Sequence, residues 1–177
     1  MLAFLINFLG FQIVWLACAW GIPNQHPELV ILSSLIFLGH HFATCSEKLL
    51  EAKIILRVLI LGFIFDSILG IFHLVTYHSS YQSPFDFIQP WWMTLLWITL
   101  GASVRISFKW LHQRLMLAAL LGLTLGPVSY FSGEKFGALS IEQVSLCTAV
   151  FSIFWAAAMP LMMTWGRSES SPEPSSR

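Results

Sequence analysis

Long apolar runs separated by short polar stretches set the pattern of this chain. Six runs stand out, over about residues 2–20, 29–46, 58–77, 90–106, 115–131 and 143–165. A helix that crosses the hydrocarbon core of a bilayer needs about 20 mostly apolar residues, and each run meets or approaches that length. The strict apolar–polar alternation of barrel strands is missing. The pattern predicts an all-α fold: a polytopic membrane helical bundle of six transmembrane helices, forming one domain over residues 1–166. The polar, Pro- and Ser-rich stretch 167–177 is expected to be a disordered tail. Ser46 to Arg57 reads as a charged connection, and His78 to Gln89, with Pro84, as the longest loop.

Composition agrees with the pattern. Hydrophobic residues make up 56% of the chain and charged residues 10%, against about 25% charged in soluble domains. The net charge of zero suggests no nucleic-acid partner. Charge placement is more informative. Lys48, Lys53, Arg57, Arg105, Lys109, Arg114, Arg167 and Arg177 fall in connections on one side, and Lys135 alone falls on the other. Basic residues stay cytoplasmic, so both termini are expected there, which requires an even number of spans. Trp20, Trp91 and Trp92 fall at expected outer ends, Trp110 and Trp165 at inner ends, as an aromatic belt would place them. Trp15, Trp97 and Trp155 fall deeper. The three cysteines lie in apolar runs without a C-x-x-C spacing and read as buried thiols.

One group does not belong in hydrocarbon. Asp66 lies in the middle of "LGFIFDSILGIFHLVTYH", where an ionised carboxylate costs about 2.5–3.5 kcal/mol on insertion scales. At 100° per residue, Gly62, Gly70, His73 and Tyr77 share its helical face. His40, His41, Gln12 and Asn7, on the first two segments, reach within about 6 Å of the membrane centre by helix rise. A polar layer in which His40 or His41 bonds Asp66, with Gln12 as a further partner, is therefore expected. Such a layer either locks helix packing or handles protons or a polar ligand. Under the second reading, Asp66→Asn keeps the fold and loses activity. No metal is expected, because the His and Asp residues lack ligand spacing on any one helix, and no cofactor motif is present. "LGPVSYFSGEKFGAL", with Pro127 and Tyr130, reads either as a helix ending in a Gly-rich turn or as a broken, re-entrant mouth over the Asp66 stripe.

"NFLGFQIVW", the intramembrane Asp66, "PWWMTLLW" and "GPVSYFSGEKFGA" together resemble the DUF2878 family of bacterial inner-membrane proteins of unknown function. The resemblance spans about residues 2–165. It implies a multi-pass protein of the inner membrane and supplies no catalytic residue. The candidate ligand or proton site is thus Asp66, His73, His40, His41, Gln12, Asn7, Tyr77 and Tyr130. The expected partners are the lipid bilayer and a membrane protein or a second copy of the chain. Three classes stay open: a binding or transport protein, an enzyme or accessory subunit acting on membrane lipid, and a scaffold.

Overall fold

The computed structural model describes residues 1–78 and 88–168. Helix α1 (Leu2–Leu16) continues as a π-helical turn over Ala17–Gly21. Then follow α2 (Pro27–Thr44), α3 (Lys48–Ile71), strand β1 (Val75–Tyr77), α4 (Trp91–Gly101), α5 (Leu115–Phe136), strand β2 (Leu139–Ile141) and α6 (Val144–Ser168). Among the described residues the fold is an all-α bundle with one antiparallel strand pair, in which Val75 faces Ile141 and Tyr77 faces Leu139. Five helices are long and apolar enough to cross a membrane, and α4 is shorter. The expected loop around Pro84 lies outside the described residues. So does the expected tail, except that Arg167 and Ser168 continue α6.

Several boundaries differ from the apolar pattern. Helix α3 begins at Lys48, inside the stretch expected to be a connection, and stops at Ile71 rather than near Tyr77. Its first turn tolerates charge because Glu47 and Glu51 accept from Arg105 at 2.6 and 3.1 Å. Helix α5 runs unbroken through Pro127 to Phe136, so no re-entrant break forms. It ends at Gly137, whose φ of 85° provides the left-handed cap that L side chains resist. Helix α2 starts with Pro27 and Glu28 in its first turn, where a missing donor is harmless and negative charge meets the helix dipole.

The short α4 reaches the basic end by irregular backbone. Beyond Gly101 the chain turns through residues 102–108 into a 3₁₀ turn at Lys109–Leu111. Ala102, Ser103, Val104 and Ser107 are all buried. Non-helical backbone at such depth needs partners from within the protein, and it has them. Asn7 Nδ2 donates to Ala102 O at 3.3 Å, Ser107 Oγ donates to Asn7 Oδ1 at 2.5 Å, and His112 Nε2 donates to Val104 O at 2.9 Å. Burial pushes the His112 imidazole below its usual pKa, which favours the neutral ring that makes this contact.

Close helix approach depends on missing side chains at two places. A Cβ at Gly62 of α3 would lie 1.8 Å from the Trp97 ring of α4, and one at Gly126 of α5 would lie 2.3 Å from the Trp155 ring of α6. Two tryptophan side chains therefore pack directly against helix backbones. Gly62→Ala is expected to lower stability in detergent by about 1–3 kcal/mol through overpacking. Gly39→Ala, on an open face of α2 with nothing within 4 Å of the added carbon, is expected to cost nothing. Thermal unfolding of the two variants beside the wild type checks this.

Candidate functional site

Asp66 is completely buried, and its carboxylate is met by three donors from three other elements. Tyr77 Oη of β1 donates to Oδ1 at 2.8 Å, Tyr130 Oη of α5 donates to Oδ1 at 2.6 Å, and Trp97 Nε1 of α4 donates to Oδ2 at 2.6 Å. All three donors are neutral. The arrangement suits a group that only accepts, because the indole N–H has no acceptor function to offer in return. Hydrogen bonds to a charged group contribute about 1.5–3 kcal/mol each, so this node ties α3 to its neighbours. Tyr77 reaches it by strand pairing and not on a continued helix. The chain leaves α3 at Ile71, passes His73 with φ 52°, and returns through β1.

The expected layer of His40, His41 and Gln12 around Asp66 does not form. Helix α3 packs mainly on α4, while α2 packs on α1 and α4, so order along the chain does not bring α2 alongside Asp66. His41 is buried near the other end of α3, with Nε2 3.4 Å from Glu51 Oε2. His40 is exposed and lines an apolar groove between α1 and α2. His73 is exposed on the connection after α3. Asn7 is spent on the backbone after α4. Gln12 is exposed on α1. Of the sequence candidates, the structure brings together Asp66, Tyr77 and Tyr130. Among the described residues no three His, Cys, Asp or Glu side chains gather as a metal site would require.

Two of the three donors face a cavity on their other side. Trp97 and Tyr130 line a slot of about 610 Å³ between α1, α4, α5 and α6, within the range of about 300–1,000 Å³ usual for small-molecule sites. Helices α1 and α5 stand apart over most of their length and approach near the end that carries the strand pair, where Trp15 meets Phe136 edge-on at 6.1 Å. The gap between them opens sideways toward the surroundings, past Phe8 on one rim and Leu125 and Val128 on the other. The back wall is aromatic, with Trp97 stacked on Trp155 at 5.2 Å and an interplanar angle of 8°. Aromatic and aliphatic side chains dominate the lining, and among the described residues that form it none is a carboxylate, an imidazole or a cation. The polar exceptions include Gln12, Ser129 and Ser132.

Sequence reasoning missed Trp97 as a partner of Asp66, although its depth set it apart from the belt tryptophans. It also missed Glu51 and Arg105, which looked like parts of two separate connections. The slot itself had no sequence signal, since its walls read as ordinary lipid-facing apolar positions.

The family model described as a protein of unknown function (DUF2878) matches residues 4–161. No curated protein and no solved structure matches the chain.

The donor set changes what Asp66→Asn should do. In one orientation the new amide NH₂ faces the Trp97 N–H; in the other, both tyrosine hydroxyl hydrogens lose their acceptor. The variant is therefore expected to lose about 1–3 kcal/mol of stability, the cost of an orphaned buried group. Tyr130→Phe is expected to cost less in the Asp66→Asn background than in the wild type, with a coupling of about 1 kcal/mol. Unfolding of the four proteins in one detergent measures it. An Asp66→Asn protein as stable as the wild type would show that the carboxyl group is neutral already.

Proposed function

The chain belongs to the DUF2878 family, and we propose that it is a lipid-binding membrane protein that takes an acyl chain from the bilayer into the slot between α1 and α5. The observation that carries this reading is the slot's combination of size, apolar lining and sideways opening. A chain entering there leaves one apolar phase for another, and gains close contact with a rigid wall that loosely packed lipid does not provide. Among the described residues the lining holds no carboxylate, imidazole or cation, which favours binding over acid–base catalysis in the slot. Asp66 acts as a positioning residue in this reading. It holds Trp97 and Tyr130 upright while remaining behind them.

The charge distribution supports one orientation. Arg105 sits against Glu47 and Glu51, which brings the connection after α4 to the same end as the start of α3. Lys48, Lys109 and Arg114 lie beside these two places in the chain. The strand pair and Lys135 lie at the other end. In our reading the basic end is cytoplasmic and carries both termini, in a bacterial inner membrane.

Filling the slot tests the function. Val128 is 56% exposed on the rim, so Val128→Trp adds bulk in front of the wall without disturbing the core. The wild type purified in mild detergent is expected to carry lipid that mass spectrometry of its extract detects. Val128→Trp is expected to carry about tenfold less, a loss equivalent to about 1.4 kcal/mol, at an unchanged melting temperature. Equal lipid content in the two proteins would count against the slot as the binding site.

A further inference from the structure

We propose that the slot selects an uncharged lipid with an ester-and-hydroxyl head, of the monoacylglycerol or diacylglycerol kind, and that Gln12 with Ser132 and Ser129 holds that head near the middle of the membrane. The inference rests on the lipid-binding reading and adds the class of ligand.

The starting observation is a set of polar side chains with nothing to bond. Gln12 of α1 and Ser129 and Ser132 of α5 line the slot. Among the described residues none of the three side chains has a hydrogen-bond partner. Thr124, also on α5, instead donates to Leu120 O at 3.0 Å. An amide and two hydroxyls left unpaired in an apolar surrounding carry a cost that a hydrogen-bonding ligand removes.

Their depth can be read from helix rise. Helices α1 and α5 run in the same direction, and the Trp15–Phe136 contact sets their register. Gln12 lies about 4–5 Å and Ser132 about 6 Å inward from that contact, so the two face the slot at one level from opposite sides. Gln12 is nine residues from the end of the π-turn at Gly21, or about 13 Å, against a hydrocarbon half-thickness of about 15 Å. The polar group of the ligand therefore sits deep, where phospholipid heads do not go.

That depth and the lining together select the head. Among the described residues no cation lines the slot, so a phosphate or ionised carboxylate would stand unpaired in hydrocarbon. A plain hydrocarbon would leave the carboxamide unsatisfied. An ester carbonyl accepts from Gln12 Nε2, and a hydroxyl donates to Gln12 Oε1 while the serine hydroxyls reach its remaining lone pairs. An acylglycerol offers both functions without charge.

The test uses full-length protein in detergent, with the slot tryptophans as reporters. 1-Oleoylglycerol, oleoyl lysophosphatidic acid and 1-octadecene each compete against a dibrominated 1-stearoylglycerol that quenches tryptophan fluorescence. The expected result is that 1-oleoylglycerol competes at least about tenfold better than either alternative, a preference of about 1.4 kcal/mol. Gln12→Leu combined with Ser132→Ala should abolish that preference and leave competition by 1-octadecene unchanged, which also shows that the slot has folded. Three equal competitors, a better lysophosphatidate, or a preference that survives the double substitution would each overturn the inference while the slot remains a lipid site. If the quencher and all three competitors fail to bind, the lipid-binding reading itself is overturned.

Discussion

A carboxylate inside a membrane bundle must be surrounded by donors, and the Asp66 node shows what that requirement does to a fold. Tyr77, Trp97 and Tyr130 come from β1, α4 and α5, and all end on two oxygen atoms of α3. Each donor constrains the element that carries it. Trp97 reaches Asp66 only because Gly62 leaves room for the indole against α3. Tyr77 reaches it only because β1 pairs with β2, which in turn depends on α5 stopping at Gly137. Hydrophobic burial gives little direction to helices surrounded by lipid, so a directional polar node has unusual weight in choosing which helices meet and in what register.

The node and the slot share the same two aromatic side chains. Trp97 and Tyr130 present a polar edge to Asp66 and an apolar face to the cavity. Their rotamers are set on one side by hydrogen bonds and on the other by ring stacking, Trp97 against Trp155 and Tyr130 against Phe151. A wall held in this way stays in place when the slot is empty, which reduces the ordering that a ligand must bring about on binding. The end of the slot near the start of α1 depends on a second polar arrangement. Asn7 caps the irregular backbone after α4, and without that partner the short helix could not end at membrane depth.

Much of the architecture was legible from hydropathy. Apolar runs marked every helix, and Asp66 stood out as the polar group needing partners. The partners themselves were not legible, for a physical reason. Helix rise gives depth but not azimuth, and depth alone placed His40, His41 and Gln12 beside Asp66. The structure puts His41 near Glu51, leaves His40 on an outer groove, and turns Gln12 into the slot. Tyr77 was associated with Asp66 on a helical face that does not exist beyond Ile71, and it arrives by a strand instead. The charged start of α3 hid a helix, because Glu47, Glu51 and Arg105 neutralise one another only once the chain has folded. Pro127 left open a re-entrant break or a helix ending in a Gly-rich turn, and α5 takes the second form, ending at Gly137.

The contact between Trp97 and Asp66 joins the node to the slot wall, and the indole proton reports on it directly. In a protein labelled with ¹⁵N-tryptophan, the Trp97 Nε1–H resonance is expected downfield of the others, as a short bond to a carboxylate requires. It should exchange with deuterium far more slowly than that of Trp110, which is 48% exposed. Asp66→Ala should move the resonance upfield and speed its exchange. A Trp97 indole that exchanges as fast as Trp110, or one indifferent to loss of the carboxylate, would contradict the central claim.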